Sequence, residues 1–183
     1  DYFGKNFVLN DLTHDGGLTA IRIEGPTNSV DQRLRRLSKE LGLLDQELSI
    51  LDNEQSNIFW NRTQNLEVFK SLKSNLLRIV LPVSETLQVI QKLKSYDIKY
   101  FVDWGGSLIW AVFETLNAKI LSDIKDIVKK HQGYITLIKI EDDLKASADI
   151  FTIDPIKYKI SEKIKRSFDP KRIFNPGKMY TGI

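Results

Sequence analysis

Cysteine is absent from this sequence and histidine is rare: among 183 residues only His14 and His131 occur. The lack of cysteine excludes a disulfide framework, a thiol nucleophile and a thiolate metal site. The two histidines stand far apart in the chain, so a histidine-based metal site or catalytic triad is poorly supplied, and we expect no bound metal. A chain without disulfides also suits the cytoplasm, which is the location we expect.

Strong charge and long apolar runs are also missing. The formal net charge is +3, whereas nucleic-acid-binding proteins usually carry a large, clustered positive excess. No stretch approaches the roughly 20 apolar residues of a transmembrane helix, and no signal peptide opens the chain. We therefore expect no nucleic acid as a partner and no transmembrane segment, with any membrane association running through partner subunits.

The residues that are present give the composition of an ordinary globular protein. Apolar residues make up 42% of the chain and charged residues 28%, values that argue against disorder. The length suits one domain, or one and a half, with a sizeable core.

The first part of the chain predicts a β-α unit after a loop. Residues 1–17 are rich in Gly, Asn and Asp and show little periodicity beyond a short strand at residues 7–9. Residues 18–23 read as a strand, and Ser29 with Gln32 forms a capping-box pattern that opens a helix. Residues 43–75 fit an irregular or helical excursion.

The second part predicts a β-α-β-β-α-β order. Helices are expected to begin at the capping residues Ser84 and Asn117, and Gly105-Gly106 reads as a two-residue hairpin turn. The predicted strands are residues 77–83, 99–104, 108–114 and 134–140. This order is that of the ferredoxin-like α+β fold, an antiparallel sheet with helices on one face.

The chain closes on a helix and a tail rich in turns. Asp154-Pro155 predicts a helix start, and Ile156, Ile160 and Ile164 follow at helical spacing. In the tail, Asp169 can cap a turn that Pro170 begins, and residues 175–177, Asn-Pro-Gly, form a tight-turn pattern. Ile173 and Phe174 lie between the two turns and need a core to enter, so we expect the tail to be docked.

Two internal features can carry chemistry. Arg78 interrupts an apolar strand, and an arginine on an open sheet face can grip a carboxylate in a bidentate manner; an exposed residue on an alternating strand is the commoner explanation. A diglycine lies between Trp104 and Trp110, which lets a planar group approach the backbone closely; on chain physics alone, a hairpin with two aromatic core anchors is the commoner explanation. No Rossmann, Walker or G-x-S-x-G pattern occurs.

Four segments in order resemble FAD-linked oxidases of the vanillyl-alcohol-oxidase type, and within them the FAD-binding E subunits of bacterial glycolate oxidases. Residues 20–26 are similar to that family's R-x-E-G run, and residues 77–82 to its W-R-x-x-x-P run. Residues 102–110 are similar to D-W-G-G-G-x-x-W, and residues 168–178 to F-D-P-x-x-I-x-N-P-G-K.

The resemblance implies a C-terminal cap domain of a flavin-dependent oxidoreductase subunit. Residues 18–150 would form the cap, residues 1–17 a loop or short strand before it, and residues 151–183 a helix and tail returning toward an FAD-binding domain. That domain, which holds the FAD pyrophosphate, would precede Asp1, so the expected partners are this domain and other glycolate oxidase-like subunits. The expected substrate is a small 2-hydroxy acid.

The resemblance also assigns site residues. Arg78, Trp104 and Gly105 would line the flavin-facing side of the sheet, and Asn175 and Lys178 would approach the flavin from the tail. The paired histidines that related flavoproteins use near the substrate are missing, so catalytic residues are not assigned. A D-type subunit is then the better candidate for substrate oxidation, and these 183 residues alone are expected to be inactive and to retain no FAD.

Two other interpretations use the same fold. A ferredoxin-like domain can be a regulatory module that binds a small molecule at a dimer interface. It can also bind RNA through aromatic residues on its middle strands, although no RNP-like run is present.

Overall fold

The computed structural model describes residues 3–10, 18–42, 48–70, 75–141, 144, 148–178 and 180. The chain divides into two compact units, Asp1–Ser71 and Leu72–Ile183. The residues assigned to the flavin-facing and tail sites all belong to the second unit.

The first unit is a three-stranded antiparallel sheet with two helices. The strand order is β2-β1-β3. Its elements are β1 (Phe3–Asn10), β2 (Leu18–Gly25), α1 (Thr27–Glu40), β3 (Leu48–Leu51) and α2 (Asn53–Gln64). Helix α1 buries Val30 and Leu34 against Ile21 and Ile23 of β2, the packing that its apolar spacing requires.

Two predictions for the first unit were wrong. Helix α1 begins directly after Pro26, which occupies the N-cap position with extended backbone and has no side-chain oxygen that could cap the helix. The capping box lies instead at the start of α2, where the Asp52 carboxylate accepts the Gln55 N–H at 2.8 Å and the Gln55 side chain accepts the Asp52 N–H at 3.1 Å. Residues 43–75, for which an irregular or helical excursion was expected, contain the helix α2 as expected, but they also contain the strand β3, which was not expected.

The second unit has the β-α-β-β-α-β order, which confirms the ferredoxin-like α+β fold. The four strands run antiparallel in the order β5-β6-β4-β7. Its elements are β4 (Asn75–Val80), α3 (Val83–Leu93), β5 (Ile98–Asp103), β6 (Leu108–Phe113), α4 (Ala118–Lys130) and β7 (Tyr134–Lys139).

The core of this unit lies between one sheet face and the helices α3 and α4. Along β4 the buried residues Leu77 and Ile79 alternate with half-buried ones, as a strand with one covered face requires. Burying each such side chain contributes roughly 1.5–3 kcal/mol. The core also contains Val89, Ile90, Leu93, Ile109, Ala111, Phe113, Leu121, Ile124, Val128, Ile135 and Leu137.

The predicted helix caps of the second unit have different outcomes. Asn117 caps α4 as expected, because its side-chain oxygen accepts the Ile120 N–H at 2.9 Å. Ser84 does not cap α3, which begins one residue earlier, at Val83, after Pro82 and without a side-chain cap. The same proline geometry that opens α1 therefore opens α3.

A last helix, α5 (Pro155–Phe168), follows a segment that runs along β7. Thr136 forms an antiparallel bridge with Phe151, and the Leu137 N–H donates to the Ile150 carbonyl at 2.8 Å. Asp154 caps α5 as predicted, accepting the Ile156 N–H at 2.8 Å. This segment sets the start of α5 beside β7 at one edge of the sheet.

Candidate functional site

Arg78 and Trp104 lie in direct contact on the second unit. The guanidinium carbon of Arg78 lies 4.7 Å from the centre of the Trp104 ring, within the range of a cation–π interaction. Trp104 remains 58% exposed, so its indole ring is accessible to a further planar group. Gly105 is the next residue, and the structure thus brings three of the five predicted site residues together.

The connection between β5 and β6 has four residues, so the prediction of a two-residue turn was wrong. Asp103 pairs with Leu108 across it, and the chain between them takes positive φ at Trp104 (54°), Gly105 (60°) and Gly106 (107°). Left-handed backbone is costly for a residue as bulky as tryptophan. The surrounding contacts must therefore hold the loop in place.

Two polar contacts hold this loop. The Asp103 carboxylate accepts the Trp104 N–H at 2.7 Å, and the Thr86 hydroxyl, from the first turn of α3, donates to the Gly106 carbonyl. A Cβ atom at Gly106 would lie 3.0 Å from Val83. The sequence therefore packs the loop tightly against the start of α3 and fixes the position of the Trp104 ring.

Arg78 belongs to a row of side chains that crosses the sheet on the face opposite the core. Trp110 is its partner on β6, Thr136 its partner on β7, and Phe101 pairs with Trp110 from β5. Directly opposed residues of antiparallel strands share a face, and all four side chains are half-buried. This row thus presents the Arg78 cation beside aromatic rings, a surface that suits a planar or anionic group.

Asp169 is the centre of the tail. It is buried, and its two carboxylate oxygens accept the N–H groups of Ile173 and Phe174, each at 2.9 Å. The Lys165 ammonium lies 2.9 Å from the same carboxylate. Burial by itself raises the pKa of Asp169, but the hydrogen bonds from Ile173, Lys165 and Phe174 outweigh it and lower that pKa to about 2.

Asn175 and Lys178 are the two ends of one tight turn. The Lys178 N–H donates to the Asn175 carbonyl at 3.3 Å, with positive φ at Asn175 (46°) and Gly177 (68°). This confirms the turn predicted from Asn-Pro-Gly. This hydrogen bond lies within the turn itself, so the structure groups these two site residues with each other, and Arg78 with Trp104 separately.

The tail is held at two points and exposes the apolar residues between them. Tyr180 packs against Phe151 and Tyr158, with ring centres 6.1 Å apart in each pair, and Asp169 holds the other end. Ile173 and Phe174, however, are exposed. The expectation that both enter a core was wrong for the chain as described.

These exposed residues continue an apolar stripe on α5. Ile156, Ile160, Ile164 and Phe168 recur every four residues, which places them on one face of the helix. All four are exposed, and of the fourteen described residues of α5 none is buried. We call these four residues, with Ile173 and Phe174, the C-terminal apolar stripe.

Sequence reasoning missed the partner of Asp169. Lys165 precedes it by four residues in the same helix, and this spacing brings an ammonium and a carboxylate together. The signal was therefore present in the sequence. A lysine four residues before an acidic residue is so common that the pattern alone does not mark a site.

Two other features are absent from the described part of the chain. Among those residues, no group of three or more His, Cys, Asp or Glu side chains is arranged to hold a metal ion. No described helix has both the length and the apolar character needed to cross a membrane.

Comparison with known proteins gives one informative relationship. No protein-family profile matches the chain. The chain is 26% identical over 164 residues to glycolate oxidase subunit GlcE of Escherichia coli (strain K12), an alignment that covers 89% of this chain and 39% of the relative. It therefore spans well under half of the length of that relative. This chain is accordingly a distant relative of a glycolate oxidase subunit.

Proposed function

We propose that this chain is the C-terminal cap domain of a flavin-dependent oxidoreductase subunit of the glycolate oxidase kind. It covers FAD and shapes the substrate side of the site, and it does not itself hold the FAD pyrophosphate. The observation that carries the proposal is the similarity to glycolate oxidase subunit GlcE along 89% of this chain. The cap spans residues 18–150, and residues 151–183 return toward the FAD-binding domain.

The face around Arg78 and Trp104 fits the ring end of FAD. An isoalloxazine is planar and electron-poor, and an exposed indole offers it a stacking surface. Gly105 has no side chain, and no other heavy atom lies within 4 Å of where its Cβ would be, so a flat ring can approach the backbone there. In the proposal these three residues line the flavin-facing side of the sheet.

The pyrophosphate end of FAD needs a different part of the protein. A phosphate cradle usually combines a glycine-rich loop with a helix N-terminus, and the sequence holds no such pattern. We place that cradle in an FAD-binding domain N-terminal to this chain, consistent with the 39% of the relative that the alignment covers. Asn175 and Lys178 approach the cofactor from the tail.

The C-terminal apolar stripe supports a docked arrangement. A helix that buries none of its residues gains little from packing in this chain, whereas exposed apolar side chains in a continuous stripe gain when a partner covers them. In the proposal, the partner that covers the stripe is the FAD-binding domain of the same protein. Other glycolate oxidase-like subunits complete the assembly.

FAD, when bound, supplies hydride and electron transfer to the reaction. Trp104 and the aromatic residues of the open face exclude water from the ring. Arg78 carries a planar fork of donors that can hold the carboxylate of a small 2-hydroxy acid in place. The chain thus contributes binding, orientation and exclusion of water, and the oxidation of the substrate is assigned to another subunit of D type.

The experiment compares the protein encoded by the complete gene with these 183 residues alone. We expect the complete protein to purify yellow, with flavin absorbance near the visible maximum of FAD, and the 183 residues to purify colourless. A yellow preparation of the 183 residues, or a complete protein that holds no flavin after reconstitution with FAD, contradicts the proposal.

A matched pair of variants in the complete protein tests the open face. Trp104→Leu removes the proposed stacking surface, and we expect it to shift the flavin absorbance spectrum or to lower the flavin content. Leu87→Ser changes an exposed apolar residue on α3 and serves as the control that leaves both unchanged. Identical spectra for the two variants argue against a flavin at this face.

A second candidate is a regulatory module that binds a small molecule on the ferredoxin-like sheet. It rests on the fold alone, which hosts many unrelated functions. A complete gene that encodes no FAD-binding domain, with a start codon near Asp1, favours this candidate over the first.

A further inference from the structure

A buried histidine joins the two helices of the second unit. His131 caps the end of α4 and is only 9% exposed. Its Nδ1 lies 2.6 Å from Oε2 of Glu85, in the first turn of α3. Its Nε2 lies 2.7 Å from Nζ of Lys92, two turns further along α3. Both ring nitrogens are therefore occupied by side chains of opposite charge.

The two partners of His131 decide which of its ring nitrogens carries the proton. A carboxylate can only accept hydrogen bonds, so Nδ1 carries the proton that Glu85 receives. Nε2 then presents a lone pair, which accepts a hydrogen bond from the Lys92 ammonium. The three side chains thus form a series of a carboxylate, an imidazole and a nucleophile. The lysine amine takes the position that serine or cysteine occupies in other triads.

A second lysine of the same unit, Lys99, serves as a comparison for Lys92. Lys99 is also exposed, and its Nζ lies 2.8 Å from Glu114. The hydrogen bond and the charge of Glu114 raise the pKa of Lys99, which favours the protonated form of its amine. At Lys92 the acceptor is an imidazole, which can take a proton from the amine and hold it beside the Glu85 carboxylate.

We propose that Lys92 is a self-acylation site that reacts with small acyl phosphates, with His131 as general base and Glu85 as positioning residue. The Lys92 ammonium gives one proton to His131 Nε2, and the neutral amine attacks the acyl carbon. The new N–C bond forms as the C–O bond to phosphate breaks, and phosphate leaves with the electron pair. The second proton passes from nitrogen to the leaving phosphate, and His131 returns its proton to water.

The surroundings suit an anionic acyl donor. Lys129 and Lys130 are exposed in the last turn of α4, immediately before His131. Their positive charges raise the local concentration of a small phosphate-bearing reagent. Lys92 is itself exposed, so the donor can reach the amine without opening the fold.

The test measures acetylation at individual lysines. The 183-residue protein is incubated with acetyl phosphate, and peptide mass spectrometry gives the initial rate at each site. We expect Lys92 to react at least about a hundredfold faster than Lys99, the low end of what a positioned general base supplies. Equal rates at the two lysines overturn the proposal.

Two variants separate catalysis from structure. His131→Gln is expected to bring the rate at Lys92 down to that at Lys99, which itself stays unchanged. Glu85→Gln keeps an acceptor for the Nδ1–H but removes the charge, so it is expected to slow Lys92 while imidazole ¹⁵N shifts still report the Nδ1–H tautomer. Unchanged acetylation of Lys92 in the Glu85→Gln variant contradicts the proposal, even if His131→Gln proves too unstable to assay.

Discussion

At the scale of single residues, the tail depends on one carboxylate. Asp169 accepts two backbone N–H groups and the ammonium of Lys165. The sequence predicts its role as a cap, because aspartate before proline is a common way to open a turn. Because the carboxylate is also paired with the Lys165 ammonium, we expect this cap to be sensitive to acid.

Asp169→Asn is expected to lower the melting temperature of the second unit by a few degrees at neutral pH. The amide can accept fewer hydrogen bonds and leaves Lys165 without its counter-charge. Thermal denaturation followed by circular dichroism measures the effect. Lys171→Gln, a change at an exposed residue of the same turn, is the control that leaves the melting temperature unchanged.

The contribution of Asp169 is also expected to depend on pH. Its pKa is about 2 in the folded protein against an ordinary value of 3.8, so its stabilisation is complete above about pH 4 and is lost as the pH falls toward 2. The melting-temperature difference between wild type and Asp169→Asn therefore shrinks over that window. A difference that stays constant from pH 6 to pH 2 contradicts the assignment.

The contact between Arg78 and Trp104 predicts a measurable coupling. A double-mutant cycle with Arg78→Met and Trp104→Leu is expected to give about 0.5–1 kcal/mol in the free energy of unfolding, the usual size of an exposed cation–π pair. Denaturant unfolding measures it. Arg78→Lys keeps the positive charge and is expected to retain part of the coupling, whereas a zero value for the first cycle shows that the contact is not stabilising.

At the scale of elements, the starts of the helices follow two different devices. Asn117 and Asp154 use a side-chain oxygen, whereas α1 and α3 begin directly after Pro26 and Pro82 without one. At both starts the proline is the N-cap residue, and its carbonyl accepts a backbone N–H of the first turn, from Val30 at 3.0 Å and from Glu85 at 2.9 Å. Ser29 and Ser84, which follow these prolines, therefore lie inside their helices. The sequence pattern suggested that they are caps, but the structure shows that they are not.

This difference predicts opposite outcomes for two similar variants. Asn117→Ala is expected to cost about 1 kcal/mol of unfolding free energy, because the Ile120 N–H loses its acceptor. Ser84→Ala is expected to be close to neutral, because Ser84 does not cap α3. Urea denaturation of the two variants under the same conditions measures both, and an equal loss contradicts the assignment.

The two glycines of the loop between β5 and β6 are expected to differ in how much stability is lost when each is replaced by alanine. Gly105→Ala is expected to cost about 1 kcal/mol for left-handed backbone, since no atom blocks the new Cβ. Gly106→Ala is expected to cost more, because its φ of 107° suits only glycine and the Cβ meets Val83 at 3.0 Å. Comparison of their unfolding free energies tests the order, and a larger loss at Gly105 reverses the interpretation.

At the scale of the whole molecule, the second unit has one covered sheet face and a helix, α5, of whose described residues none is buried. Leu77, Ile109 and Phe113 are fully buried in the core, yet the C-terminal apolar stripe is exposed. An exposed stripe of this kind promotes association, because covering apolar surface releases water.

The 183 residues alone are therefore expected to self-associate in a concentration-dependent manner. Sedimentation velocity measures this, and the double variant Ile160→Ser/Ile164→Ser is expected to shift the population toward monomer. Leu87→Ser removes an exposed apolar side chain of α3, outside the stripe, and is the control without effect. A monomer at all concentrations contradicts the role of the stripe.

Some features could be predicted because their causes are local. The alternation at Leu77 and Ile79 indicates a strand, and the Asn-Pro-Gly turn needs no information from the rest of the chain. The four-residue loop at Trp104 was missed because a tryptophan with positive φ depends on contacts such as those with Asp103 and Thr86, and Thr86 is distant in sequence. Strand β3 was missed because short apolar runs fit a helix or a strand equally well.

The sequence by itself determined the order of strands and helices in the second unit, the caps at Asn117 and Asp154, and the turns of the tail. These depend on the spacing of apolar residues and on side chains within a few positions of each other. Only the tertiary structure decided which distant side chains meet. His131 joins Lys92 and Glu85 across 39 and 46 positions, and Trp104 meets Arg78, because packing of the helices and the sheet brings together residues that no local pattern links.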